Sequence, residues 1–594
     1  MTTTYLQHDQ PESLAEEKTL SSIVTIEVAL FAALAFSALF LRLFLLGNVP
    51  LADDEARQAI ASWNFARNIP DAYTGSPLLF TGNAIIFFLF GATDAAARLL
   101  AALFGSALVL LPALLRRELG RIGALIASAL LTFSPSLVLF SRDVNGAIIA
   151  VTCALTALVF AWRYLTDHSP RALSFAAVSA ALALLAAREV WTVIVALIVV
   201  GAIFRKQFQF ASESHSDLRR AGILFALVFF GVGTTALMHR DGIGAAFDLL
   251  TAWINGLTPS FSFSDPLRLL VVYEPIAFFF GVAAIVQLAF LARSDERDTL
   301  PLDALSIWFI VGFILYSLGG DKNPARVVAV VVPLALITGW YLGAWIQRAA
   351  ASTWLENLLA QELPIYVLAC ALAGFLYLVL AEFSTRGTFV AADVIGNLTG
   401  LKSASGLIIA LLISIAVAVI AFLTVTTTGW ARAKDIALAI GLTLLIGWTF
   451  RQTITLNFRD SNSLNPQEFL VARAASSSVR DLVDDLAEIS RYRANDSHTI
   501  RVVADESLGA MLAWYLRDFR YVQFSARPSA TSEAQALILP SDADAPASGW
   551  MSQTYRLETA RNATPLPSLL RWLMYRDVGA TDNASAALWL PQPK

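Results

Sequence analysis

Three adjacent acids, Asp53, Asp54 and Glu55, follow the first long apolar segment of the chain. Carboxylates this close raise one another's pKa, so crowding them beside a membrane-length segment costs free energy. Such a group could act as a general base or bind a metal ion. A structural alternative stays open: the acids could lie in a solvated loop, or cap the N-terminus of a following helix over 56–67, where the helix dipole favours them.

Charged residues also occur at later turns between apolar segments. Arg142 and Asp143 lie where almost no room is left for a loop, and charges so close to a bilayer usually face a water-filled cavity. At the turn 319–326, Lys322 and Arg326 are candidate phosphate ligands. The alternative is that these cations cap helix ends or extend toward the membrane surface. Further candidates in or beside turns on the same face are Arg188, Glu189, Glu274 and Asp321.

The segments that carry these candidate residues are mostly apolar. Of the 594 residues, 57% are hydrophobic and 15% are charged, and the mean hydropathy is +0.63. A soluble protein has about 25% charged residues. The formal net charge of -4 argues against a nucleic-acid partner. Neither the two cysteines, Cys153 and Cys370, nor the five histidines have the spacing of a disulfide framework or a zinc site.

The apolar blocks have the length needed to cross a bilayer, about 20 residues. We predict about 13 spans, and therefore an all-α polytopic membrane bundle. The first span lacks the basic start and cleavage site of a signal peptide, so we expect it to be retained. The predicted spans are 22–47, 96–115, 122–140, 145–163, 172–187, 191–204, 221–238, 268–292, 303–319, 327–346, 362–381, 405–427 and 435–452.

The distribution of Lys and Arg among the loops places the N-terminal tail, 1–21, in the cytoplasm. The basic loop 116–121 is then cytoplasmic as well. Segment 78–92 is apolar but only about 15 residues long, and a crossing there would move that loop outside. We therefore interpret it as an interfacial or re-entrant helix within the first outer loop, 48–95.

The transmembrane domain, 22–452, is followed by a region of different composition, 453–594, which an odd number of spans places outside the cytoplasm. Charges become frequent there and apolar runs shorten to strand length. Strands alternating with helices indicate a small α/β domain with a mostly parallel sheet. It has no glycine-rich phosphate loop, so nucleotide binding is not supported. The predicted helices are 479–489 and 507–516, and the predicted strands are 499–504, 521–524 and 536–539.

This topology collects acids and bases at one membrane face, beneath the soluble domain. The arrangement suits chemistry on a lipid-linked phosphate, in which an acid activates a hydroxyl and the bases hold the phosphate.

Several motifs resemble those of the GT-C superfamily of membrane glycosyltransferases, which includes the dolichyl-phosphate-mannose protein mannosyltransferases and the aminoarabinose lipid A transferase. The superfamily's main mark, an acidic pair after the first span, corresponds to Asp54-Glu55. Segments 97–105 and 134–142 resemble its "ARLL-ALFG" and "SP…FSR" stretches. A closer resemblance, to the prokaryotic flippase-associated glycosyltransferase-like subfamily, is carried by Asp54-Glu55-Ala56, Arg188-Glu189, Asp321-Lys322-Asn323-Pro324 and Trp514-Tyr515-Leu516-Arg517-Asp518.

The sequence departs from the subfamily pattern at three points. Asn145, Gly146 and Ala147 stand where the family often has a further Arg and an Asp. Arg188 replaces the lysine of a "KE" pair, and Pro324-Ala325-Arg326 replaces "PWL". These departures leave a non-catalytic member open.

The resemblance implies inverting transfer of a sugar from a polyprenyl-phosphate donor to an acceptor outside the cytoplasmic membrane. Asp54 would be the general base, assisted by Glu55 or Asp53. The acceptor could be a glycan, a lipid or a protein, and a divalent metal and the oligomeric state stay open. The alternatives are a transporter or flippase of lipid-linked sugars and a non-catalytic scaffold. The cations that would bind the donor phosphate are Arg142, Arg188, Lys322 and Arg326.

Overall fold

The computed structural model describes most of the chain. The described residues are 12–69, 75–205, 215–258, 264–291, 300–350, 363–386, 429–458, 468–528, 534–544, 549–561 and 578–592, with single positions between 412 and 426 and at 546 and 572.

Long apolar helices build the N-terminal part of the protein. Helix α1 (Glu12–Leu43) begins ten positions before the predicted first span. Helix α2 (Asp53–Ala66) begins with the acid triplet, three positions before the predicted helix over 56–67. The bundle continues with α3 (Pro77–Phe90), α4 (Asp94–Leu108), α5 (Leu111–Leu114), α6 (Arg116–Leu119), α7 (Arg121–Phe133), α8 (Pro135–Ser141), α9 (Ala147–Asp167), α10 (Pro170–Ala186), α11 (Val190–Ile203), α12 (His215–Gly233), α13 (Asp241–Asn255), α14 (Ser264–Tyr273), α15 (Pro275–Leu291), α16 (Leu300–Leu318), α17 (Val328–Ala350), α18 (Leu363–Arg386) and α19 (Trp430–Phe458).

Within the described residues, 6 helices are long and apolar enough to cross a membrane, or up to 8 spans when each of two bent helix pairs is one span. This is a multi-pass membrane protein. The larger number of 13 stays a prediction, because several predicted spans are shorter apolar helices such as α10 and α11. The predicted span 405–427 lies largely outside the described residues.

Two prolines produce the bent pairs. Helices α7 and α8 meet at 59° before Pro135, and α14 and α15 meet at 112° before Pro275. The residue before a proline is disfavoured in helical geometry, which ends the first helix of each pair. The two breaks contact each other, because Ser134 and Ser136 each donate a hydroxyl hydrogen bond of 2.5 Å to buried Glu274. Glu274 therefore fixes the relative position of two broken helices.

The charged turns predicted from the sequence are confirmed. Arg188 and Glu189 separate α10 from α11, and Arg142 and Asp143 separate α8 from α9. Helix α3 covers the segment predicted to be interfacial, and its last residues, 88–90, are exposed and apolar.

The C-terminal domain has one six-stranded sheet with the order β1-β5-β6-β4-β2-β3. Its helices are α20 (Ser478–Ala494) and α21 (Gly509–Tyr515), which confirm the two predicted helices. A 3-10 turn, Glu506–Leu508, precedes α21. The strands are β1 (Arg473–Ala475), β2 (Arg501–Asp505), β3 (Tyr521–Ser525), β4 (Ala536–Pro540), β5 (Trp550–Arg561) and β6 (Thr581–Pro591).

The prediction of a mostly parallel sheet is wrong. Strand β2 runs parallel to β3 and β4, but the pairs β1–β5, β5–β6 and β4–β6 are antiparallel. The three predicted strands correspond to β2, β3 and β4. The missed strands lack a continuous apolar run, because β1 has 3 residues and the first halves of β5 and β6 are exposed.

The C-terminal domain contacts the predicted first outer loop at several residues, among them Asp94 at the start of α4. Asp94 accepts hydrogen bonds from Trp514 Nε1 (2.8 Å), the Tyr515 hydroxyl (2.8 Å) and Arg480 Nη2 (2.6 Å). Arg517 lies over the Trp514 ring at 4.0 Å and donates to a backbone carbonyl between α3 and α4. The motif 514–518 is therefore a docking element.

Candidate functional site

A cavity of about 660 Å³ lies where the helical bundle meets the soluble domain. Its walls come from the loop after α1, the turns after α8 and α16, strand β1 and the end of β5. The predicted site residues that line it are Asp54, Glu55, Arg142, Asp143, Asp321 and Lys322. Those that do not line it are Asp53, Arg188, Glu189, Glu274 and Arg326.

Glu55 forms a buried ion pair with Arg98. Arg98 Nε and Nη2 donate to the two carboxylate oxygens at 2.7 and 2.6 Å. The carboxylate also accepts the backbone N–H groups of Ala52 and Val144, each at 3.0 Å. Burial opposes ionisation, but the Arg98 charge outweighs it and lowers the pKa of Glu55. The remaining Arg98 donors bind the backbone carbonyls of Leu46, Val49 and Pro50.

The three acids of the triplet have separate environments. Asp53 binds Arg57 at 2.7 Å and accepts the backbone N–H of Met511 at 3.1 Å, so it helps to dock the soluble domain. Asp54 faces the cavity with its side chain 72% exposed. All three also lie in the first turn of α2, as the helix-dipole alternative predicts. Asp54 is the member of the triplet that a substrate in the cavity can reach.

Arg142 caps the end of the first helix. Its guanidinium donates to the backbone carbonyls of four residues, 41, 42, 44 and 45, and lies 4.7 Å from the Phe458 ring centroid. Burial lowers the pKa of Arg142 to about 10. This geometry is that of the predicted helix-end cap, and it leaves Arg142 few donors for a phosphate.

Asp143 lies beside the Glu55 carboxyl group, with which it shares a side-chain hydrogen bond. Burial and the neighbouring Glu55 charge raise the pKa of Asp143 well above its ordinary value, since two adjacent carboxylates resist double ionisation. When protonated, Asp143 can donate this hydrogen bond to Glu55.

Asp321 forms ion pairs with Arg188 and Arg326, two predicted phosphate ligands that do not line the cavity. Arg188 Nη2 lies 2.6 Å and Arg326 Nη2 lies 3.3 Å from the same carboxylate oxygen. Arg188 also lies 3.6 Å from Glu189. Because these cations are paired with carboxylates, they fix the turn after α16 and do not project into the cavity.

Lys322 lies on that turn. Among the four cations predicted to bind the donor phosphate, it is the one that faces the cavity with an unused hydrogen-bond donor. Its Nζ donates to the carbonyls of Tyr316 and Ser317 at 3.2 and 3.0 Å, and an ammonium group has three donors. Burial lowers the pKa of Lys322 relative to its ordinary value.

Four residues of the site were not among those predicted from the sequence: Arg98, Arg473, Glu558 and Arg561. Arg98 had a usable signal, because an arginine in a membrane-length apolar helix requires an acidic partner. The other three lie in β1 and β5, where no sequence pattern marked a strand. Arg473 and Arg561 both line the cavity.

Among the described residues, no group of three or more His, Cys, Asp and Glu side chains is arranged to hold a metal ion. Metal dependence stays open.

Comparison with known proteins supports the resemblance to the GT-C superfamily. The family model described as dolichyl-phosphate-mannose-protein mannosyltransferase matches residues 75–232, about a quarter of the chain. This match includes Arg98, Arg142 and Arg188 but begins after the acid triplet. No curated protein matches the sequence.

Two solved structures of ArnT have the same fold as this chain at low sequence identity. ArnT from Cupriavidus metallidurans bound to undecaprenyl phosphate superposes with a TM-score of 0.52 at 16% identity, covering 88% of this chain and 94% of ArnT. Apo ArnT gives a TM-score of 0.50 at 15% identity, covering 96% and 98%. The oligosaccharyltransferase of Archaeoglobus fulgidus is less similar, with a TM-score of 0.46 at 15% identity, covering 86% and 68%. The resemblance is confirmed at the level of the superfamily fold, and the flippase-associated subfamily stays a prediction.

Proposed function

We propose that this protein, which has the fold of the GT-C superfamily of membrane glycosyltransferases, transfers a sugar from a polyprenyl-phosphate donor to an acceptor. The observation that carries the proposal is the position of Asp54, an exposed carboxylate in a cavity whose walls also carry cations. The undecaprenyl phosphate bound by ArnT is a lipid phosphate of the proposed donor class.

In this proposal Asp54 accepts the proton of the acceptor hydroxyl. The hydroxyl oxygen attacks the anomeric carbon of the donor as the bond from that carbon to the phosphate oxygen breaks. The electron pair of that bond leaves with the polyprenyl phosphate. A single displacement of this kind inverts the anomeric centre, so the product has the opposite configuration.

Lys322 is the first cation we assign to the leaving phosphate. A positive charge there stabilises the charge that develops on the phosphate as the bond breaks. Arg188 and Arg326 act through Asp321, by holding the turn that presents Lys322. Arg142 holds the end of α1 at the cavity wall, where its charge still contributes to the local potential.

The proposed location is the cytoplasmic membrane, with the N-terminus in the cytoplasm and the cavity and soluble domain on the outer side. The lipid chain of the donor would lie among the helices, and its phosphate would reach the cavity from the membrane face. The acceptor would enter from the side of the soluble domain.

The test is sugar transfer by the purified protein in lipid, with a panel of synthetic polyprenyl-phosphate sugars. Asp54→Asn should lower transfer by about 10²–10⁴-fold, the usual contribution of a general base. Asp484→Asn is the matched control, because its side chain is also exposed and does not line the cavity. Full activity of Asp54→Asn would contradict the assignment. Tight carrier binding without transfer by the unmodified protein would favour the transporter or the scaffold.

A further inference from the structure

Arg473, in the soluble domain, lies beside the proposed base. Its Nε is 3.8 Å from Asp54 Oδ2, and its Nη1 is 3.4 Å from Glu558 Oε1. The side chain is 46% exposed and lines the cavity. A positive charge from the soluble domain is therefore present at the point where the acceptor hydroxyl would be activated.

Glu558 holds this arrangement at the domain boundary. Its Oε2 accepts the backbone N–H of Asp53 at 2.9 Å, and its Oε1 faces Arg473. Arg473 lies opposite Ala560 in the β1–β5 pair, two positions along β5 from Glu558. A closed ring of contacts thus joins the start of α2, Glu558, Arg473 and Asp54.

The Arg473 contacts are loose when compared with another arginine–carboxylate pair in the same molecule. Arg98 and Glu55 are joined at 2.6 and 2.7 Å in a bidentate, buried geometry. The contacts of Arg473, at 3.4 and 3.8 Å, exceed the length of an ordinary N–H···O hydrogen bond. Arg473 is therefore held near two carboxylates while its donors stay open to an incoming anion.

We propose that Arg473 binds an anionic group, a phosphate or a carboxylate, carried by the acceptor next to the hydroxyl that Asp54 activates. The proposal rests on the proposed transfer reaction. The acceptor is favoured over the donor because Arg473 neighbours the base, whereas Lys322 lies on the turn after α16, in the helical bundle. Arginine suits this role because its planar fork matches carboxylate and phosphate oxygens.

Binding measurements test this assignment without requiring transfer. Glucose 6-phosphate and glucose serve as soluble probes that differ in one anionic group, and undecaprenyl phosphate serves as the donor-side probe. We expect the unmodified protein to bind glucose 6-phosphate more tightly than glucose. Arg473→Gln should weaken glucose 6-phosphate binding about tenfold, the loss of a charge-assisted hydrogen bond. Binding of undecaprenyl phosphate should be unchanged.

Three further variants separate the role of Arg473 from an effect on folding. Arg473→Lys should recover part of the affinity for glucose 6-phosphate, since it restores the charge but not the fork. Glu558→Gln should cause a smaller loss, because it loosens the placement of Arg473 without removing it. Arg491→Gln, an exposed arginine in the last turn of α20, is the matched control and should bind all probes like the unmodified protein.

Three results would overturn the proposal: equal binding of glucose and glucose 6-phosphate by the unmodified protein, unchanged binding by Arg473→Gln, or a loss confined to undecaprenyl phosphate. The last result would assign Arg473 to the donor phosphate. These outcomes are independent of Asp54→Asn, whose failure to affect transfer would contradict the base but leave the probe affinities as they are.

Discussion

Replacing Arg98 by methionine should destabilise the loop 46–50, which leads into the helix that carries Asp54. The variant loses both hydrogen bonds to Glu55 and three hydrogen bonds to the backbone carbonyls of the loop 46–50. Methionine is flexible enough to fill the vacated space, so the change removes polar contacts more than volume. The result is a buried carboxylate without its counter-charge.

The magnitude follows from these contacts. Removing one partner of a buried ion pair costs about 3–5 kcal/mol, because the other charge stays buried. A carbonyl left without a donor costs about 1–3 kcal/mol where water does not reach it. Since a folded domain is stable by only about 5–15 kcal/mol, Arg98→Met should lose a large part of its stability.

A double variant separates the charge from the backbone contacts. Replacing a buried ion pair by apolar residues is often neutral. Here Arg98→Met with Glu55→Leu also leaves unpaired the three carbonyls and the amides of Ala52 and Val144. The double variant should therefore recover only part of the lost stability.

The assay is a denaturant titration of the purified proteins in detergent micelles, followed by tryptophan fluorescence. Asp54→Asn is measured beside them and should unfold like the unmodified protein, because its side chain is exposed. Unchanged stability of Arg98→Met, or complete recovery in the double variant, would refute the conclusion that this pair fixes the loop through its backbone.

Two further predictions concern neighbouring contacts. Protonated Asp143 stabilises the fold below its ordinary pKa of about 4, and this contribution is lost as the pH rises through its raised folded-state pKa. Asp143→Asn keeps the donor to Glu55 at every pH. The melting temperature of this variant minus that of the unmodified protein should therefore increase between pH 4.5 and pH 8. A constant difference would contradict the raised pKa of Asp143. Tyr515→Phe loses the hydrogen bond to Asp94 and the one from Leu51 N–H, so it should cost about 1–3 kcal/mol. Faster proteolysis of the soluble domain would report this loss, and an unchanged rate would contradict it.

The helical bundle could be predicted because bilayer-length apolar segments have few alternatives. The two proline breaks were harder to recognise, since hydropathy does not distinguish a straight helix from one bent before Pro135 or Pro275. In the soluble domain, β2, β3 and β4 have apolar runs and were found. Strands β5 and β6 pair with each other along lengths that are partly exposed, so their sequences do not alternate in the way that indicates a strand.

For the site, the sequence showed which residue types converge but not which of them are already paired. The sequence does not distinguish the roles of the three adjacent acids. In the structure Asp53 pairs with Arg57 and Glu55 pairs with Arg98. Asp54 faces the cavity. Those partners depend on tertiary contacts between distant segments. For the same reason the predicted cations divide into a helix cap, a partly buried pair of arginines around Asp321 and a lysine with an open donor.

The hydrogen bond between Asp53 and Glu558 joins residues that are 505 positions apart. A ribosome completes the predicted first outer loop, 48–95, long before the strand that carries Glu558 is made. Until then the cavity lacks the wall formed by β1 and the end of β5. During biogenesis the helical bundle therefore forms before the cavity is complete, and the C-terminal domain must fold before a substrate can be enclosed. A chain arrested between these two stages would lack this wall, so the protein acquires its complete cavity only after the strand that carries Glu558 has been made.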